Sequence, residues 1–461
     1  MLKNKMFFSI LLVLCSTFGM VSFSHSAEEA RIYPDKTKQM ITDTGFDIKQ
    51  PNKADSITQE IVRSLYIDDG MTILRVPYYG QIGSAGPGEF SDHGKQLYAK
   101  VNRVIDMVLR VKPDVKIFAS IRMADNIQDG ATKTFPKWVM KDGVNYEKTQ
   151  RTNGKDVDPD RYAVLMFDYL KYMHNLNYNI YALGVDNESK LPGKTQYEAT
   201  IKLKKLLTES HIPIPLIVAP EDDKPSPDVL ADFFRAAPTA KNHVDIVGSH
   251  IYCATRRQQY DQWKQLGQMA ADSGKPFWQT ELHWDTANNK WLPNFSNPLN
   301  SAEGALAVAF DFFDFGGSVF VWWSYTNPSI RKDNNIKHRI QPLFTKMMNG
   351  AQPLEMTPLT LTGQNLVPPD HGYERFHIRS FKKENDIIVW LLNVTDTPLP
   401  SYALNIDGKS ISGEVSYYRW GDKNTETKGT VKPVNQNRIE LDIAARSIYM
   451  IQIGGVYAST P

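Results

Sequence analysis

The chain has 461 residues, of which 41% are hydrophobic, and it sets 53 lysines and arginines against 51 aspartates and glutamates, enough length and apolar content for a large core. No long single-sign charge tract is present, which argues against a nucleic-acid partner held by a bulk positive field. The two cysteines, Cys15 and Cys253, exclude a disulfide framework, since Cys15 lies in an apolar N-terminal run, and stability has to come from the core.

Lys3 and Lys5 precede an apolar run from Met6 to Val21 that reaches small residues at Ser24-His25-Ser26-Ala27, the three-part layout of a secretory signal peptide. Cleavage after Ser26 or Ala27 would remove two lysines and no acid, leaving 51 charges of each sign. No later stretch approaches the roughly 20 apolar residues of a spanning helix. The expectation is an exported protein, secreted or periplasmic, monomeric and without stable membrane insertion.

Beyond the leader, short β-branched runs alternate with longer segments at helical spacing, the pattern of repeated βα units around a parallel sheet. Strands are expected at 40–46, 72–76, 115–120, 180–185, 216–219, 246–251, 276–281 and 318–323. Helices are expected between them, near 54–66, 94–111, 161–176, 196–210, 227–237, 258–272 and 301–315. Eight strands in about 300 residues fit one (β/α)8 TIM barrel. An open doubly wound sheet is the alternative, but no glycine-rich phosphate loop follows the first strand. After Gly350 the texture changes to strands without helices, at 373–379, 387–393, 402–406, 414–420, 438–443 and 447–453, separated by hairpin turns such as Asp407-Gly408. The expected division is a signal peptide over 1–26, the barrel over 27–350 with its first residues available to add a strand to the β domain, and an antiparallel β-sandwich over 351–461.

In barrels of this kind reactive side chains sit at the carboxyl ends of the strands. Two glutamates stand there: Glu188 in Gly184-Val185-Asp186-Asn187-Glu188-Ser189, and Glu281 in Phe277-Trp278-Gln279-Thr280-Glu281-Leu282. Closure brings the mouths of strands four and seven to opposite sides of one pocket. Acetal hydrolysis needs such a pair: an acid that protonates the departing oxygen, and a carboxylate about 5 Å away that attacks the anomeric carbon. The acid has to stay protonated near neutrality, which partial burial beside a second carboxylate favours.

These segments resemble the clan of barrel glycosidases with catalytic glutamates on strands four and seven, and within it glycoside hydrolase family 30. Leu74-Arg75-Val76-Pro77 is similar to the family's second-strand motif, Asp186-Asn187-Glu188 to its acid/base motif, His250-Ile251-Tyr252 to its sixth-strand motif and Trp278-Gln279-Thr280-Glu281 to its nucleophile motif. The resemblance implies Glu188 as acid/base, Glu281 as nucleophile, Asn187 bonding the sugar 2-hydroxyl, Tyr252 donating to the nucleophile and Arg75 orienting it. His250 is open between packing and sugar contact, while Arg75 and Tyr252 have plainer alternatives as an ion pair and a core tyrosine. Two departures stand out. Ser120 runs into Ile121-Arg122-Met123-Ala124 where the family has Ser-Pro-Trp, and Ser189 stands where a proline commonly follows the acid/base.

Aromatic faces for sugar stacking are available at Trp138, Trp284, Trp291 and Tyr325 and at Trp322 and Trp323, which point to opposite faces of the eighth strand, so that one should reach the pocket or the inner barrel. Retaining hydrolysis of a glucan- or xylan-like carbohydrate is the expected function, with no cofactor and no metal. The rivals are a carbohydrate-binding protein that lost turnover, and a metal-dependent barrel hydrolase using His174, His211, His243, His250 or His283. No His-x-His ends the first strand and no His-Glu-x-x-His helix appears to support the latter.

Overall fold

The β-branched runs form the eight expected strands: Asp43–Asp47, Ile73–Tyr79, Lys116–Arg122, Ile180–Gly184, Leu216–Pro220, Ile246–His250, Phe277–His283 and Gly317–Ser324. They pair in parallel and in chain order, and the eighth bonds back to the first, so the sheet is a closed barrel and not an open one. This computed structural model describes residues 29–49, 51–122, 135–146, 154–222, 224–250, 256–283, 298–325, 335–357 and 376–458.

Alternation along each strand sends every second side chain into the barrel. Near the amino end these are Ile73, Phe118, Ala182, Val218, Ile246, Trp278, Val319 and Val321, which form one apolar cluster. Trp278 plugs it, stacked on Tyr181 at 6.4 Å and edge-on to Phe118 at 6.0 Å. Two residues further along the same strands the inward positions hold Arg75 and Ser120, and His250 lies four residues after Ile246. The apolar plug is therefore the floor of a polar layer.

Helices Asp92–Val111, Pro159–Asn175, Gly193–Glu209, Pro227–Arg235, Arg256–Asp272 and Pro298–Asp314 alternate with the strands. Local chemistry sets their starts: the Ser91 hydroxyl accepts from the Gly94 amide, and the Asp158 carboxylate from the Asp160 and Arg161 amides. The helix expected over 54–66 is interrupted. Pro51–Ser56 ends, the Thr58 hydroxyl accepts the Ile61 amide at 3.3 Å to start Gln59–Arg63, and a π turn completes the segment over Ser64–Asp68. A further helix, Lys337–Met348, carries Pro342 inside it, which masks its periodicity in the sequence.

The β domain is one nine-stranded sheet in the order Thr425–Val431, Val415–Gly421, Ser447–Ile453, Asp386–Asn393, Phe376–Lys383, Gln352–Thr357, Glu29–Thr37, Leu399–Ile406 and Arg438–Ile443. Residues from both halves, such as Ile32, Leu404 and Ile439 with Ile378, Val389 and Ile451, share one core, so the sheet folds over on itself as a sandwich. Its pairing is not wholly antiparallel, because Glu29–Thr37 runs parallel to Leu399–Ile406. Thr425–Val431 escaped the sequence reading because no residue of this edge strand is buried and its pattern is polar.

Barrel and β domain share an apolar cluster. Trp390 meets Phe344 of the Lys337–Met348 helix at 5.5 Å and stacks on Trp420 at 6.1 Å, while Arg379 pairs with Asp314 at 2.7 Å. Among the described residues no helix is long and apolar enough to cross a membrane.

Candidate active site

Glu281 lies in the seventh strand, where strict alternation from the inward Trp278 would turn it outward. Pairing with the sixth strand slips between Gln279 and Glu281, and the Gln279 side-chain oxygen accepts the Val321 amide at 2.9 Å. The irregularity re-aims Glu281 toward the barrel axis. Glu188 reaches the same place from a turn. Asp186, buried, accepts from the amides of Asn187 at 2.7 Å, Ser189 at 3.2 Å and Leu191 at 3.1 Å, and from the Ser189 hydroxyl. A proline at position 189 could give neither of the Ser189 bonds. Burial lifts the Asp186 carboxyl to about 7, against these donors.

Arg75, fully buried over the Phe118 ring, is the hub of the polar layer. One terminal nitrogen donates to Asp47 at 2.8 Å and to Glu281 at 2.5 Å. The other reaches the Asn187 side-chain oxygen at 3.0 Å and Glu221. Lys49, two residues past the first strand, donates to Glu281 Oε2 at 2.8 Å and to the same Asn187 oxygen. Ser120 donates to Glu221 at 2.8 Å. His250 presents Nδ1 to Glu188 Oε1 at 2.8 Å, while its Nε2 lies 3.6 Å from Glu281 and 3.9 Å from Glu221.

These contacts set the charges. Burial raises the Glu281 carboxyl, but Lys49, His250 and Arg75 together hold it well below the usual range, so it is ionised. Burial also raises Glu188, yet the His250 imidazole leaves it net lowered. The expectation of a protonated Glu188 is thus corrected for the free protein. Burial lowers His250, but the charge of Glu281, the hydrogen bond to Glu188 and the nearby Glu221 carboxylate lift it to about 9. At the rim Lys53 donates to the Trp323 carbonyl and lies 4.5 Å from the Trp323 ring centroid, its ammonium brought down to about 8 by burial while Asp47 and Glu281 oppose the shift.

Comparison with known proteins follows the same line. No protein-family profile matches the chain. The glucuronoxylanase XynC of Bacillus subtilis is 21% identical over 308 residues, covering 64% of this chain and 67% of that protein. Among solved structures, the family 30 subfamily 8 xylanase Xyn30A of Clostridium acetobutylicum superposes with a TM-score of 0.63 at 16% identity, over 92% of this chain and 99% of its own. A family 30 endoxylanase of Clostridium papyrosolvens C71 gives 0.63 at 18%, over 93% and 100%. The chain has the fold of glycoside hydrolase family 30. The resemblance carried by the motifs therefore extends over barrel and β domain together.

Within this family 30 fold, Glu188, Glu281, Arg75, Asn187 and His250 converge on one site. His250 is fully buried and placed on Glu188, which makes it a partner of that carboxyl and not a sugar platform. Trp323 lies at the rim. Trp322 has to be removed from the candidate sugar contacts: it turns outward, fully buried, donates to Thr345 at 3.0 Å and packs on Phe320 and Phe344. Trp138 is half-buried and donates to Ser84, and Tyr325 donates to Asp69 at 2.6 Å. Tyr252, Trp284 and Trp291 lie outside the described residues. Lys49, Asp47, Ser120 and Glu221 were missed by the sequence reading. Glu221 directly follows the fifth strand, so the strand-end rule that found Glu188 applied to it equally. Glu188, His250 and Glu281 bring one ligand-type atom each within 4.8 Å of one another, but a divalent ion among them would meet the fixed cations Arg75 and Lys49 on Glu281.

Proposed function

We propose that this chain is an exported retaining glycoside hydrolase acting on the O-glycosidic bonds of a xylan- or glucan-like chain. The observation that carries this is the proximity of Glu188 and Glu281, whose oxygens lie within 4.8 Å of each other at the carboxyl end of the barrel. Retaining enzymes set their two carboxyl groups about 5–5.5 Å apart, whereas inverting ones leave roughly 6.5–9.5 Å for a water. Glu281, ionised by its cationic partners, attacks the anomeric carbon, and Glu188 serves the leaving oxygen and then the incoming water. The oxygen of Asn187 takes both Lys49 and Arg75, so its NH2 end is the one left for a sugar hydroxyl. The xylan preference is supported by the names of the relatives, and export by the Lys3-to-Ala27 leader.

The test is a panel of defined xylo- and gluco-oligosaccharides with NMR of the first-formed anomer, where an inverted product would sink the double displacement. Glu281→Ala should lower turnover on every substrate by at least about 10⁴-fold. Glu188→Ala should spare the first step for good leaving groups, giving a burst and then slow turnover that azide accelerates. The reverse pattern would exchange the two roles.

A further inference from the structure

The two-glutamate reaction has no task for Glu221, although it is as deeply buried as any residue of the layer. Its Oε1 accepts from Arg75 and Ser120, and Oε2 has no hydrogen-bond partner among the described residues. The carboxylate occupies space that Gly184 leaves open, since a Cβ on Gly184 would come within 1.5 Å of Oε2. A buried carboxylate costs several kcal/mol unless it is paired, and Arg75 is that pair on one side.

The Oε1 that accepts from Arg75 and Ser120 also stands 3.9 Å from the far nitrogen of His250. The charged groups around that ring come from five strands: Glu188 at Nδ1 from the fourth, Glu221 at 3.9 Å and Glu281 at 3.6 Å from Nε2, Arg75 at 3.3 Å from Nε2, and Lys49 behind Glu281. Asp222 accepts the His250 amide through its backbone, and its side chain is taken by Ser226 at 2.8 Å. The Arg75 nitrogen near Nε2 shares its two hydrogens among Glu221, Asn187, Ser120 at 3.1 Å and the ring, and the carboxylates of Glu281 and Glu221 beside Nε2 favour a hydrogen on that nitrogen as well. With a carboxylate at each ring nitrogen, His250 is placed as an imidazolium.

Building on the glycosidase reading above, we propose that Glu221 is a positioning residue that holds a proton on His250, and that the His250–Glu188 pair stores the proton delivered to the leaving oxygen. In the first half-reaction the Nδ1 proton passes to Glu188 and on to the glycosidic oxygen. As it does so, the bond from that oxygen to the anomeric carbon breaks and the Glu281 oxygen bonds to the carbon. His250 is left neutral, with hydrogen on Nε2, and Glu188 ionised. In the second, water bonds to the anomeric carbon, the Glu281 ester bond breaks, and the water's proton returns to the pair. Glu281 loses its charge while it is an ester, whereas Glu221 forms no bond to the sugar at any stage. This is why a second carboxylate at Nε2 matters.

The test is the pH profile of kcat/KM with a poor leaving group, for which protonation is required, beside a nitrophenyl glycoside, for which it is not. His250 loses its proton as pH rises through about 9, so the basic limb for the poor leaving group should lie there. Glu221→Gln should move that limb down by at least about one pH unit, leaving the acid limb and the nitrophenyl profile in place. A loss of rate with both limbs unmoved would reduce Glu221 to structure and overturn the proposal. Should the variant fail to fold, the ring of His250 is followed by NMR in the unmodified protein, assigned with His250→Gln. An imidazolium that persists to about pH 9 supports the proton store, and a neutral ring at pH 7 in an active enzyme overturns it alone. Since this titration needs no turnover, a protein with that imidazolium that cleaves no glycoside overturns the glycosidase reading, and with it the delivery step.

Discussion

The two halves of the barrel interior are made by the same strands and differ in almost everything else. In the lower half Ile73, Phe118, Val218 and Trp278 pack as apolar neighbours, with no charge to desolvate. In the upper half Asp47, Arg75 and Glu221 are fully buried and Lys49 nearly so. Removing an ion from water costs several kcal/mol even after relaxation, and well-packed apolar residues often do as well in the same space. A barrel shaped for stability alone would continue the lower layer upward. The switch of chemistry within two residues along a strand, from Ile73 to Arg75 and from Phe118 to Ser120, marks where stability is surrendered for reactivity.

That contrast can be broken from either side. Arg75→Met should have the largest effect, stranding Asp47 and Glu221 and removing a partner of Glu281. We expect a loss of about 3–5 kcal/mol in urea unfolding together with loss of turnover; a variant more stable than the parent would show that the layer does not depend on its hub. Trp278→Ala, in the floor, should cost a similar or slightly smaller 3–5 kcal/mol or so by leaving a cavity, while KM in the surviving folded protein stays close to that of the parent. A KM change exceeding the stability loss would mean that the floor shapes the site directly. The smallest effect is expected on the eighth strand. Trp322→Phe should lose about 1 kcal/mol with its bond to Thr345 and leave KM alone, whereas Trp323→Ala, at the rim, should raise KM more than it lowers stability. The opposite result would reverse the assignment of the two faces.

Much of this was legible in the sequence because it is periodic. The eight strands, most helices and the positions of Glu188 and Glu281 follow from alternation and from the rule that barrel chemistry gathers at strand ends. What escaped has a common physical origin in contacts between residues far apart in the chain. Lys49 looked like one of many lysines until closure laid it on Glu281, 232 residues away. Glu221, between Pro220 and Asp222, carries no local mark of its place, which is set by Arg75, 146 residues away. The two tryptophans of the eighth strand were expected on opposite faces, but only packing against Phe344 decides which one faces out. The protonation of Glu188 was misjudged for the same reason: its partner His250 comes from another strand.

The contact between Gly184 and Glu221 also constrains how such a site could have arisen. A carboxylate that fills the space of an absent side chain ties two positions on neighbouring strands into one heritable unit. Of the two single steps toward it, glutamate at position 221 opposite any larger residue at 184 begins with a clash, whereas glycine at 184 first leaves only a small void. The glycine is therefore the permissive step and the glutamate the adaptive one. In homologous barrels the pair should be lost in the reverse order, so that chains with alanine at the first position carry no glutamate at the second.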